Sequence, residues 1–182
     1  MIVSEIGLNH LGDSDYADVY LENLINAKSE AITFQIAEKS FYEKKPSLKL
    51  TNEYYSKVSE LCHKNKIKFG VALADGEMID FFESINVDFY KILSKDISNF
   101  SLLSKIAKTG KKLFLSTGLA GIPEIKKAVK KIGNFKENTT LIHTQLNQEL
   151  GNVNLKSIPF LQKKIGLPVG YGHHAINSHV LY

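Results

Sequence analysis

The sequence predicts an α/β fold: a (β/α)8 barrel of the TIM type, incomplete at its C-terminus, with about seven strands present. Three observations predict it. Short apolar runs alternate with amphipathic stretches along the whole chain. The runs are rich in Val, Ile and Phe, as strands buried on both faces of a parallel sheet are. The Gly-rich loop that an open doubly wound sheet places after its first strand is missing. Such barrels take about 250 residues, and the chain has 182. The expectation is one domain over residues 1–182, one strand and about two helices short of closure.

The elements follow in order. Met1 to Glu5 reads as a strand and Asp15 to Ala27 as a helix. AITFQ (31–35) is a strand, with a helix around Asn52 to Lys64. KFGVAL (68–73) is a strand and Glu77 to Ile85 a helix. VDFYKI (87–92) is a strand and Phe100 to Lys108 a helix. KLFLST (112–117) is a strand and Pro123 to Lys131 a helix. TTLIHT (139–144) is a strand and Leu155 to Lys164 a helix. LPVGYG (167–172) is the last strand, and a further helix is expected to begin within His174 to Tyr182. Turn signals support these limits: Gly110 and Gly133-Asn134 follow helices, and Pro123 sits in a first turn, where its missing N–H costs little.

Composition bounds the class. The chain is 43% hydrophobic, which suits a sizeable core. No apolar run approaches the ~20 residues of a membrane span, so no membrane partner is expected. MIVSEIG lacks the basic start of a signal peptide. The single cysteine, Cys62, allows no internal disulfide and fits a reducing cytosol. Cys62-His63 has no second Cys/His pair to complete a metal site. The 23 basic and 19 acidic residues leave a net charge of +4. Many lysines come in pairs, such as Lys126-Lys127 and Lys130-Lys131, and read as solvated helix faces. A nucleic-acid binder would gather them with exposed aromatics on one face; a mild positive balance favours small anionic substrates.

In such a barrel, function sits at the C-terminal ends of the strands. Those ends read Glu5 with Asn9-His10, then Gln35, Ala72 and Asp75, then Lys91, Ser94 and Asp96, then Ser116-Thr117-Gly118, then His143, Thr144 and Gln145, and last His173-His174. Each has a bland alternative. Ser116 and Thr117 are candidate helix caps, Lys91 a structural partner of Asp96 or Glu5, and His143 a satisfied core histidine. As a set they point to chemistry. Lys91 with Ser94 and Ser116 makes a cradle for phosphate or carboxylate. His143 and His174 suit a divalent cation with open positions for water and substrate oxygens. Glu5 suits proton transfer or the steadying of a developing cation, and Gln35 and Asp96 suit sugar hydroxyls.

At these residues the chain resembles the sialic acid synthases, which include N-acetylneuraminate, legionaminate and pseudaminate synthases. The matching segments are SEIGLNHLGD (4–13), ITFQ (32–35), DFYKILSKDISNFSLLSKIAKTGKKLFLSTGL (88–119), LIHT (141–144) and NVNLKSIPFLQKKIGLPVGYGHH (152–174). The resemblance implies a cytoplasmic transferase of surface carbohydrate biosynthesis. It would condense phosphoenolpyruvate with an N-acetylated amino sugar and release phosphate. It implies a manganese or magnesium ion on His143 and His174, with His174 also in the catalytic set beside Glu5 and Lys91. It implies phosphoenolpyruvate contacts from Lys91, Ser94 and Ser116, and sugar contacts from Gln35 and Asp96, where a Glu is usual.

The chain also departs from the pattern. Thr33 stands where the family has Lys, and Ala72 where it has Thr before Pro. Two phosphate contacts are thereby lost. Lys95 replaces a Gly and is available as a substitute cation. Gly172-His173-His174-Ala175 replaces Ser-Asp-His-Thr, and QLNQELG (145–151) replaces a Tyr- and Pro-containing loop. Family members continue through strand eight and usually an antifreeze-like C-terminal domain, which lends an arginine across a dimer; the 182 residues are expected to be the barrel portion alone. An open barrel exposes strand edges, so a homodimer or other self-association is expected. The alternatives are a non-catalytic member that binds a sugar or phosphorylated ligand, and an assembly subunit whose barrel a partner completes.

Overall fold

The computed structural model describes residues 1–175, in two compact units, Met1–Lys91 and the described residues from Ile92 onward. In the first, strands β1 (Val3–Gly7), β2 (Ala31–Ile36), β3 (Lys68–Leu73) and β4 (Phe89–Ile92, whose last residue lies past the division) pair in parallel in chain order. Helices α1 (Ser14–Asn26), α2 (Lys39–Lys44), α3 (Asn52–Lys64) and α4 (Ile79–Ser84) connect them. Asp13 caps α1 through hydrogen bonds from the Asp15 and Tyr16 N–H groups, and Thr51 caps α3 through the Tyr54 N–H.

Register sorts the first sheet's side chains. Partners in a parallel pair share a face and alternate residues change face. Ile32, Phe34, Ile36, Phe69, Val71, Leu73 and Tyr90 share one face, all at most 3% exposed. Phe34 meets Tyr54 and Tyr55 of α3 edge-on, with ring centroids 6.4 and 5.9 Å apart, and Tyr55 meets Phe82 of α4 at 5.6 Å. This is the helix-covered core. The other face carries Glu5, Thr33, Gln35, Gly70, Ala72, Phe89 and Lys91.

In the second unit, β5 (Lys112–Ser116), β6 (Thr139–Thr144) and β7 (Val169–Gly172) are parallel; α5 (Phe100–Lys108) precedes β5, and α6 (Ile122–Ile132) and α7 (Ser157–Ile165) connect the three strands. Leu113, Leu115 and Leu141, at most 2% exposed, share one face. Ile106 of α5 and Ala128 of α6 are likewise fully buried.

Several expected limits shift. The first strand runs to Gly7, with an irregularity between Glu5 and Gly7. A helix, α2, occupies part of the segment between β2 and α3 to which the sequence assigns no element; Lys45, ahead of Pro46, ends it, as residues preceding proline do. The third expected helix starts as a 3-10 turn, Gly76–Met78, capped by Asp75. Of the helix expected from His174, His174 and Ala175 are irregular and the rest lies outside the described residues. No helix among the described residues is long and apolar enough to cross a membrane.

Candidate active site

In the first unit, Gln35, Ala72 and Lys91 stand in one row across β2, β3 and β4, and Glu5 pairs with Thr33 in the neighbouring row. All lie on the face away from the helices. The Lys91 ammonium donates to the Glu5 carboxylate. The lysine side chain is 7% exposed and the glutamate side chain 45%. A buried cation is thus held by a carboxylate that solvent reaches. Thr33 is buried and its hydroxyl donates to the Phe34 carbonyl at 3.3 Å. With Ala72 beside it, Lys91 is the one cation that these two rows hold on this face.

Two residues expected at this rim have structural work instead. His10 is fully buried, and its Nδ1 accepts the Gly12 N–H at 2.9 Å, which closes the turn before α1. Its Nε2 then carries the proton and has no hydrogen-bond partner among the described residues. Burial holds the His10 imidazole below its ordinary pKa. Asp75 caps the turn that opens the β3–α4 connection, accepting the Glu77 N–H at 2.9 Å. No group of three His, Cys, Asp or Glu that could hold a metal forms around Cys62-His63 among the described residues. Burial pushes the Cys62 thiol up to about 12, and His63 Nε2 meets Asp88 at 2.9 Å.

In the second unit, Ser94 and Ser116 are buried, at the start of the connection after β4 and at the end of β5. Ser94 Oγ accepts the Gly118 N–H at 3.0 Å. Gly118 is required there: a Cβ would lie 2.6 Å from the Thr144 carbonyl oxygen and 3.1 Å from Ser94 Oγ. Asp96 lies in the same short 3-10 turn as Ser94, and its carboxylate is 3.7 Å from Lys95 Nζ. Thr117 does not cap a helix. Its N–H and its hydroxyl both donate to the Ile142 carbonyl and tie β5 to β6, and the N-cap of α6 is Gly121, which has no side chain to cap with.

His143 is in register with Tyr171, on the opposite face of β6 from Ser116 and Thr144. One ring nitrogen, Nε2, lies 2.8 Å from the Val153 carbonyl oxygen. A carbonyl only accepts, so Nε2 bears the proton and Nδ1 keeps its lone pair. The Tyr171 ring meets two imidazoles, tilted at 6.1 Å from His143 and edge-on at 5.7 Å from His173, and its hydroxyl is 3.2 Å from His173 Nδ1. His174 is exposed just beyond β7. The histidine joined to His143 through Tyr171 is therefore His173. Sequence reading passed over Tyr171 and Val153; only the β6–β7 register brings Tyr171 beside His143.

Parallel strands alternating with helices, with polar groups at the strand ends, define an α/β protein of the TIM-barrel type. A solved structure of the sialic acid synthetase from Leptospira borgpetersenii serovar Hardjo-bovis matches 98% of this chain with a TM-score of 0.85 at 28% identity. The family model described as the NeuB family matches residues 18–182, and the chain belongs to that family. Among its relatives, N,N'-diacetyllegionaminic acid synthase from Campylobacter jejuni is 30% identical over 99% of this chain. An uncharacterized protein from Methanocaldococcus jannaschii is 35% identical over 96%. The chain spans 62% and 55% of those two relatives' lengths, and 66% of the solved synthetase chain.

The donor set fits a divalent ion in part. A ligating histidine ordinarily gives its second ring N–H to a carbonyl or carboxylate, as His143 does to Val153. Among the described residues no three His, Cys, Asp or Glu side chains gather as a full protein cage. His143 Nδ1 would offer an ion one protein nitrogen, with water and substrate oxygens filling further positions.

Proposed function

We propose that the chain is the barrel portion of a synthase that condenses phosphoenolpyruvate with an N-acetylated amino sugar to a sialic-acid-type nonulosonate, releasing phosphate. Family membership supports the reaction class. The observation that carries it to residues is the buried Lys91 ammonium on the helix-free face, in one row with Gln35 and paired to Glu5. A buried cation with an exchangeable counter-ion is what a small organic phosphate needs.

A C–C bond forms between the enol carbon and the sugar's aldehyde carbon, and water replaces the phosphate. Lys91, Ser94 and Ser116 hold the phosphate and carboxylate. Gln35 and Asp96 hold sugar hydroxyls. Glu5 transfers a proton or steadies the positive charge that develops at the reacting carbons. His143 and His174 would hold manganese or magnesium, which supplies a Lewis acid to the aldehyde oxygen. The proposed setting is the cytosol, and the proposed assembly is a homodimer. Leu119 and Leu146, in the connections after β5 and β6, are exposed apolar residues of the kind that self-association covers.

One observation favours a second reading, a member that binds without turnover. Thr33 and Ala72 are buried at the two positions where the resemblance leads one to expect further phosphate contacts. Phosphate release separates the readings. The protein with phosphoenolpyruvate, manganese and N-acetylmannosamine or a 2,4-diacetamido sugar should liberate phosphate only when sugar is present. No sugar-dependent release, with phosphoenolpyruvate binding intact by calorimetry, selects the second reading.

A further inference from the structure

Four lysines surround a groove of about 390 Å³ on the second unit: Lys126 and Lys130 of α6, Lys136 in the 3-10 segment that follows, and Lys164 of α7. Val129 and Ile165 contribute apolar wall, and Asn134 adds a neutral carboxamide. No carboxylate lines it, and none of the four lysines forms a salt bridge among the described residues. Lys164 Nζ lies over the Phe160 ring at 5.9 Å. The four charges equal the net charge of the whole chain, +4.

Helix dipoles explain part of this. Lys130 and Lys164 sit in last turns, where cations are favoured. Lys126 does not, and it stands four residues before Lys130, a like-charge spacing that destabilises a helix. Lys136 lies outside both helices. The sequence thus keeps mutual repulsion that one multiply charged anion would relieve. The chain has no arginine, so its anion sites must be built from lysine. The groove's size falls in the range of roughly 300–1,000 Å³ typical of small-molecule sites.

We propose that this groove binds a small molecule bearing a polyphosphate group, at a site separate from Lys91. Calorimetry on the full chain with pyrophosphate tests it, and adenosine triphosphate in a second arm shows whether a nucleoside adds affinity. Pyrophosphate should bind the natural chain and Lys91→Met alike. Lys130→Ala/Lys136→Ala should weaken it at least about tenfold, the loss expected for charge-assisted hydrogen bonds, with sugar-dependent phosphate release unchanged. An unchanged melting temperature shows that the double variant is folded. Equal affinity in the double variant, loss in Lys91→Met instead, or equal competition by sulfate at matched ionic strength would each overturn the proposal.

Discussion

Glu5→Gln keeps the shape of the side chain and removes its charge. The Lys91 ammonium, 7% exposed, then loses its counter-ion while still out of water. Lys91→Met leaves instead a Glu5 carboxylate that is 45% exposed and can be hydrated. Breaking a fully buried pair from one side costs about 3–5 kcal/mol. Here one partner reaches solvent, so the cost of Glu5→Gln falls to about 1–3 kcal/mol. Lys91→Met should cost under about 1 kcal/mol, since methionine fills a similar volume and strands no buried charge. At about 2–4 °C per kcal/mol for a chain of this size, Glu5→Gln should lower the melting temperature by roughly 2–12 °C. Lys91→Met should lower it by no more than about 4 °C. Calorimetry and urea unfolding at low salt measure this; guanidinium would screen the pair. The released Lys91 should also bind inorganic phosphate more tightly in Glu5→Gln. If Lys91→Met is the more damaging change, or phosphate binding weakens in Glu5→Gln, the ion-pair argument is wrong.

Two further outcomes follow from the same geometry. Burial lowers the His10 pKa in the folded chain, so the unfolded chain takes up its proton first as pH falls. The stability His10 contributes is present above its ordinary value of 6.5 and lost as pH drops below it, and His10→Gln should flatten that slope in urea unfolding at pH 5 and 7; an unchanged slope assigns the loss elsewhere. Gly118→Ala would push a methyl to within 2.6 Å of the Thr144 carbonyl oxygen. Forcing such a contact costs about 1–3 kcal/mol, visible as a lower urea midpoint, and a neutral substitution would show that the β5 connection yields.

Much of the fold was legible because strand and helix periods differ so plainly. α3, β3, α5 and β6 fall at the residues that the apolar pattern marks. α2 was not legible: six residues with no side-chain cap and a single buried residue, Tyr42, carry no periodic stripe. The candidate site was legible as a list of strand ends but not as contacts. Lys91 and Glu5 are 86 residues apart in sequence, and their pairing depends on register through β2 and β3. The rim residues His10, Asp75 and Thr117 look catalytic by type. Their hydrogen bonds show that they hold turns and strands, because short polar side chains satisfy local backbone as readily as they meet a ligand.

Product analysis tests the proposed reaction most directly. The protein is incubated with phosphoenolpyruvate, an N-acetylated amino sugar and manganese, and the mixture is resolved by mass spectrometry alongside a phosphate assay. A nine-carbon keto acid formed in equal amount to the phosphate, and lost in Lys91→Met, is the predicted result. Phosphate without that product, or product formation undiminished in Lys91→Met, would contradict the role given to the buried lysine and its row on the open face of the sheet.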